Sequence, residues 1–132
     1  DLKACKIEGE IIPRLIDELP VIAVLATQAK GTTIIKDAQD LRNKETDRIK
    51  AIVTELKKLG ADIEELPDGI VIRGKSDLTG ECEVETYHDH RLAMSLYVAG
   101  LICKNPIVIN GFEWTDISFP EFEELFTNLK NT

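Results

Sequence analysis

The sequence predicts an α/β domain in which short strands and helices alternate along 132 residues. Three observations lead to this fold class. Short β-branched segments alternate with apolar segments of helical length. Two of the longer segments carry apolar residues at helical spacing on one face. The order of elements also occurs twice, which predicts one β-α-β-α-β-β unit over residues 1–78 and a second, truncated unit over residues 79–132 of a single partial domain.

The first unit begins with a weak strand over residues 3–9, after which Pro13 is expected to break the chain. Residues 17–30 predict a buried helix, because acidic residues and a proline open this segment, apolar residues fill it and Gly31 follows it. The β-branched residues 32–35 predict the next strand.

The second half of this unit combines an amphipathic helix with a hairpin. Residues 46–59 place their apolar side chains on one face, with Thr46 as the expected N-cap and Gly60 as the expected end. Two short strands are predicted over residues 61–65 and 70–73, because a Pro-Asp-Gly turn separates them.

The second unit repeats the same order. A strand over residues 81–86, a buried helix over 89–103, a strand over 106–109 and an amphipathic helix over 120–130 are predicted. An offset of 73 residues aligns the last helix with that of 46–59, and it also aligns the strands that precede these two helices. Because the second unit stops after its helix and the chain does not begin with Met, we expect a fragment of a larger domain.

Composition excludes several classes of protein. The chain has 24 acidic and 16 basic residues and a net charge of −8, which argues against binding to nucleic acid or to anionic membranes. No apolar run is long enough to span a bilayer and no secretory signal is visible, so a cytoplasmic location is expected. Cys5, Cys82 and Cys103 are expected to be buried free thiols, and His88 and His90 offer too few ligands for a metal site.

Two arginines at predicted helix starts point to an anion site. Arg48 and Arg91 both fall in a first helical turn, where the helix dipole disfavours basic residues. Their guanidinium groups and the free backbone N–H groups there suit a phosphate or a carboxylate, and Lys44 is close enough in sequence to join them. The alternative is that residues 41–48 form an ordinary solvated helix start.

Three further residues each allow a simple and a functional interpretation. Asp17 is either a helix-start acid or an acid–base group on the same surface as the arginines. Asp89 is predicted to be an N-cap. His90 follows it and would be a surface histidine in most chains.

Four segments carry a family resemblance: LIDELPVIAV from Leu15, LRNKETDRI from Leu41, HDHRLAMS from His88 and SFPEF from Ser118. In order and spacing they resemble the family of 5-enolpyruvylshikimate-3-phosphate synthase. The match runs nearly end to end and corresponds to roughly the last third of the family's chain. The charged KETDR and DHR motifs make it specific.

The resemblance implies a fold and a reaction. The fold is an inside-out α/β barrel domain of β-α-β-α-β-β units, with helices inside and sheets outside, and with the active site in the cleft between two such domains. The reaction moves the enolpyruvyl group of phosphoenolpyruvate onto the 5-hydroxyl of shikimate 3-phosphate and releases phosphate, in chorismate and aromatic amino-acid biosynthesis. It proceeds by addition and elimination, with no metal and no cofactor.

The resemblance also implies residue roles. Asp17 resembles the aspartate that contacts the shikimate hydroxyls and transfers protons, and Glu45 resembles the glutamate that protonates the methylene carbon of phosphoenolpyruvate. Lys44 resembles a lysine beside the reacting hydroxyl. Arg48 and Arg91 resemble the arginines that hold the carboxylate and phosphate of phosphoenolpyruvate, with His90 alongside.

Departures from the family pattern limit these expectations. Asp116 and Ile117 stand where some members have a lysine, and Asn43 replaces a small apolar residue. The N-terminal domain that completes the cleft is missing, so the chain alone is expected to be inactive. A monomer is also expected. Two alternatives stay open: a related UDP-N-acetylglucosamine enolpyruvyl transferase, and an anion-binding module without catalysis.

Overall fold

A computed structural model describes residues 5–111 of the chain, and within that range it contains six strands and four α-helices. In chain order these are β1 (Lys6–Ile7), α1 (Ile12–Leu15), α2 (Leu19–Ala26), β2 (Gly31–Ile35), α3 (Arg48–Leu59), β3 (Asp62–Leu66), β4 (Gly69–Gly74), β5 (Glu83–Glu85), α4 (His90–Ile102) and β6 (Val108–Asn110). Short 3-10 helices cover Gly9–Ile11 and Gln39–Asn43.

Strand pairing shows the same crossover in both halves of the chain. Four strands form a sheet in the order β1-β2-β4-β3, in which β1 and β2 are parallel and the other pairs are antiparallel. The strands β5 and β6 form a second, parallel pair. In each half, a strand is followed by a helical segment and then by a second strand that is parallel to the first, as the predicted repeat requires. The unit boundary at residue 78 and the truncation of the second unit stay predictions.

The hairpin and both ends of α3 follow from local chemistry. Leu66 pairs with Gly69, which confirms the predicted turn between β3 and β4. Gly60 ends α3 with a φ of 109°, a left-handed conformation that glycine adopts at little cost. The expected N-cap at Thr46 was wrong: the carboxylate of Asp47 accepts from the backbone N–H of Lys50 at 3.1 Å.

Proline does not break the chain at position 13. Pro13 lies in the first turn of α1, where its missing N–H costs no helical hydrogen bond. The next helix, α2, ends at Ala26, four residues before its predicted end, and the Thr27 hydroxyl donates to the carbonyl of Val24 at 2.6 Å. The predicted helix over residues 120–130 lies outside the described residues.

The core lies where the helices meet. The two buried helices α2 and α4 pack against each other, while α2 and α3 also contact the four-stranded sheet. Fully buried side chains from all three helices include Leu19, Ile52, Leu56 and Leu92. Burial alternates along β2 from Thr33 to Ile35 and along β4 from Ile70 to Arg73, as it does when helices cover one face of a sheet. This arrangement brings the N-termini of α3 and α4 to the same side of the core.

The cysteines differ from expectation in their burial. All three are free thiols, but Cys5 is exposed, and Cys82 and Cys103 are only half-buried. Burial raises the pKa of the Cys82 and Cys103 thiols, so both are held in the neutral form near neutral pH. Among residues 5–111 no helix is long and apolar enough to cross a membrane.

Candidate active site at two helix starts

Arg48 is the centre of the site. It is the first residue of α3 and only 3% of its side chain is exposed. Its Nε lies 2.8 Å from Oδ2 of Asp89, Nη1 lies 3.3 Å from Oδ1 of Asp17, and Nη2 lies 2.5 Å from Oε2 of Glu45. One guanidinium therefore joins three carboxylates that are up to 72 positions apart in the chain.

Asp89 connects this guanidinium to α4. Its Oδ1 accepts the backbone N–H groups of Arg91 and Leu92, at 3.0 and 3.2 Å, and so caps the helix as predicted. Its Oδ2 accepts from Arg48, so that one fully buried carboxylate is satisfied at both oxygens. The sequence predicts the cap but not the second bond, because nothing in local spacing indicates a partner 41 residues away.

The second arginine lies on the other side of Asp17. Arg91 is the second residue of α4, and its Nη2 is 4.0 Å from Oδ2 of Asp17. The carboxylate of Asp17 thus lies between the two guanidinium groups. A third of the Arg91 side chain is exposed, whereas Arg48 is almost entirely covered, so Arg91 is the more accessible cation. His90, the first residue of α4, lies next to it in the chain.

Electrostatics keep Arg48 charged. Burial acts to lower the pKa of Arg48, but the hydrogen bond to Asp89 and the negative charges of Asp89 and Glu45 outweigh it, so the pKa is raised. The sequence predicted arginines that are open to an anion. The structure instead occupies three of the five guanidinium N–H donors of Arg48 with carboxylates of this chain.

The segment that carries Lys44 and Glu45 is held by Arg42. Its Nε and Nη2 donate to the carbonyls of Pro67 and Leu66 at 2.9 and 2.8 Å, and Nη1 lies 2.7 Å from Asp47. This fastens the segment to the turn of the β3–β4 hairpin. Both side chains that the segment carries are exposed, and within residues 5–111 Lys44 has no ion pair.

The structure therefore brings four of the six predicted site residues into one cluster, namely Asp17, Glu45, Arg48 and Arg91. Lys44 and His90 are next to cluster members in the chain. We call the cluster of Asp17, Glu45, Arg48, Asp89 and Arg91 the arginine cluster. Over the described part of the chain, no group of three or more His, Cys, Asp or Glu side chains could hold a metal ion.

Comparison with known proteins identifies the family. The family model of EPSP synthase (3-phosphoshikimate 1-carboxyvinyltransferase) matches residues 2–126. The chain belongs to the EPSP synthase family. This confirms the family that the KETDR and DHR motifs predicted.

Relatives and solved structures agree with this assignment. The 3-phosphoshikimate 1-carboxyvinyltransferase of Petrotoga mobilis is 58% identical over 130 residues, and that of Bacillus licheniformis is 54% identical over 123 residues. An EPSP synthase structure from Acinetobacter baumannii superimposes with a TM-score of 0.83 at 40% identity over 96% of this chain. The chain spans about 30% of the length of each of these proteins. The α/β fold class is thereby confirmed.

Proposed function

We propose that this chain is part of a 3-phosphoshikimate 1-carboxyvinyltransferase. The enzyme transfers the enolpyruvyl group of phosphoenolpyruvate to the 5-hydroxyl of shikimate 3-phosphate and releases phosphate. The observation that carries this proposal is the arginine cluster, which in a member of the EPSP synthase family gathers two cations and two accessible carboxylates at adjoining helix starts.

Arg91 and Arg48 are the proposed partners of the carboxylate and phosphate of phosphoenolpyruvate. Two fixed guanidinium groups stabilise an anionic ligand without having to reorganise when it binds. Because Arg91 is the more exposed of the two, an incoming anion meets it first. An anion that reaches Arg48 must compete with the carboxylates of Asp17 and Glu45, which already lie against its outer nitrogens.

Glu45 and Asp17 are the proposed proton-transfer groups. In the addition step the 5-hydroxyl oxygen bonds to C2 of phosphoenolpyruvate, its proton goes to a base, and a carboxyl group protonates the methylene carbon. In the elimination step a proton leaves the new methyl group and the C2–O bond to phosphate breaks. Both side chains are about half exposed and can reach a substrate, whereas Asp89 is fully buried and cannot.

Lys44 and His90 complete the proposed set. Lys44 is exposed and can offer its ammonium to the shikimate substrate, and His90 is placed beside Arg91 at the start of α4. The remaining substrate contacts must come from the part of the enzyme that corresponds to the rest of the relatives' length. The chain alone is therefore proposed to be inactive. A monomeric state and a cytoplasmic location stay predictions.

The test is an activity assay on the full-length protein that contains this chain. We expect phosphate release and product formation with shikimate 3-phosphate, and none with UDP-N-acetylglucosamine. Glu45→Gln should lower kcat by about 100-fold or more, as loss of a general acid–base group does. Glu64→Gln is the matched control, because Glu64 is also an exposed glutamate paired with an arginine. Equal kcat values for the two variants, or activity with the UDP-sugar alone, would contradict the proposal.

A further inference from the structure

A second buried carboxylate on α3 has no part in the proposed chemistry. Glu55 is fully buried and lies seven residues, about two helical turns, after Arg48. Its Oε2 accepts from the Tyr87 hydroxyl at 2.7 Å. Its Oε1 accepts from the backbone N–H of Glu85 and from Nζ of Lys58, both at 2.8 Å. Burial of a charged carboxylate is costly unless it is hydrogen-bonded, and here both oxygens are.

The partners of Glu55 lie in the turn that leads into α4. Tyr87 and His88 have φ angles of 55° and 56°, a left-handed conformation that is uncommon for residues other than glycine. Such a backbone persists only when its surroundings hold it in place. The carbonyl of Thr86 accepts the backbone N–H of Asp89 at 2.9 Å, so the turn directly precedes the buried member of the arginine cluster.

Two side chains of helix α3 therefore hold this turn, through three contacts. The Glu55 carboxylate accepts from the backbone N–H of Glu85 and from the Tyr87 hydroxyl. Arg48 donates to Asp89, which directly follows the left-handed residues 87 and 88. The two side chains lie on one rigid helix, at a spacing of about 10 Å. The place of Asp89 relative to α3 is thus fixed from both ends of the turn.

We propose that Glu55, through Tyr87, is a positioning residue for the arginine cluster. It holds the 85–89 turn so that Asp89 meets Arg48 and the first turn of α4 presents Arg91 to Asp17. The catalytic part of this proposal rests on the proposed function, whereas the structural part does not. A carboxylate that served only stability would affect unfolding without altering Arg48 or substrate binding.

Tyr87→Phe and Glu55→Gln in the full-length protein test the proposal. Tyr87→Phe removes only the hydroxyl, and Glu55→Gln keeps an acceptor for it. Two readouts are needed: the NMR signal of the Arg48 Nε–H, assigned through Arg48→Lys, and the separate KM and kcat values for phosphoenolpyruvate. Lys58→Gln is the matched control, since Lys58 contacts the same carboxylate from the half-exposed side and does not touch the turn.

We expect Tyr87→Phe to shift the Arg48 signal and to raise KM about tenfold, with a smaller change in kcat. Glu55→Gln, which keeps an acceptor for Tyr87, should cause smaller changes of the same kind, and Lys58→Gln should cause neither. A folded Tyr87→Phe protein with an unchanged Arg48 signal, or with an unchanged KM, would overturn the proposal. If the wild-type protein had no transferase activity, the proposed function would fail, and the Arg48 signal alone would still decide whether Glu55 positions the cluster.

Discussion

A comparison of Asp89→Asn with Asp47→Asn measures how much burial adds to the stabilising effect of an aspartate–arginine bond in the arginine cluster. Both aspartates are N-caps, and in both the second oxygen accepts from an arginine, at 2.8 Å for Asp89 and 2.7 Å for Asp47. Asn is as good a cap as Asp, so each substitution keeps the cap and removes mainly the charged bond. The two sites differ in exposure, which is 0% for the Asp89 side chain and 33% for that of Asp47.

The expected costs follow from that difference. Removal of one partner of a buried pair costs about 3–5 kcal/mol, but Arg48 keeps two other carboxylates, which lowers the expected cost of Asp89→Asn to about 2–3 kcal/mol. The pair at Asp47 is partly exposed, so its loss should cost about 0–1 kcal/mol. Chemical denaturation of the two variants and the wild type gives both free energies of unfolding. Equal costs at the two sites would refute the reasoning that burial decides the strength of this contact.

Three further outcomes are expected. Burial, and to a smaller extent the hydrogen bond to Glu55, raises the pKa of Tyr87 from 10.0 to about 12. The folded protein therefore holds this proton more tightly than the unfolded chain does. The free energy of unfolding should fall between pH 10 and about 12, and it should fall less in Tyr87→Phe. Equal slopes of the unfolding free energy against pH in the two proteins would oppose this. Gly69→Ala should destabilise the sheet by about 1–3 kcal/mol, because the added Cβ would overlap the Ile35 carbonyl, and an unchanged denaturation midpoint would show that β4 adjusts freely. Cys5 should be alkylated before the two half-buried cysteines, whose thiol pKa values are raised by burial, and peptide mapping that finds another order would count against the burial described.

Local sequence patterns predicted most elements because their causes are local. A glycine after an apolar stripe ended α3 at Gly60, and an aspartate before an apolar segment capped α4 at Asp89. Thr46 and Asp47 are adjacent and both are good caps, so the sequence alone could not separate them. Pro13 was interpreted as a break because its position within a helical turn is not visible before the turn itself is known.

The arginine cluster was only partly predictable, for a different reason. Helix-start arginines and the family motifs indicated Arg48 and Arg91. The bond from Arg48 to Asp89 joins two helices through tertiary packing, and no periodicity in the sequence reports it. The same holds for Glu55, which looks like an ordinary polar position of an amphipathic helix until the fold places Tyr87 against it. Only the tertiary structure brings Asp89 to Arg48 and Glu55 to Tyr87.

The most direct test of the arginine cluster as the anion site is the affinity of the full-length protein for phosphoenolpyruvate after Arg91→Gln. Arg73→Gln is the control, because Arg73 is an exposed arginine that pairs with two carboxylates on the hairpin. A charge-assisted hydrogen bond contributes about 1.5–3 kcal/mol, so Arg91→Gln should weaken binding about tenfold or more, while Arg73→Gln leaves it unchanged. Equal affinities in the two variants would contradict the account.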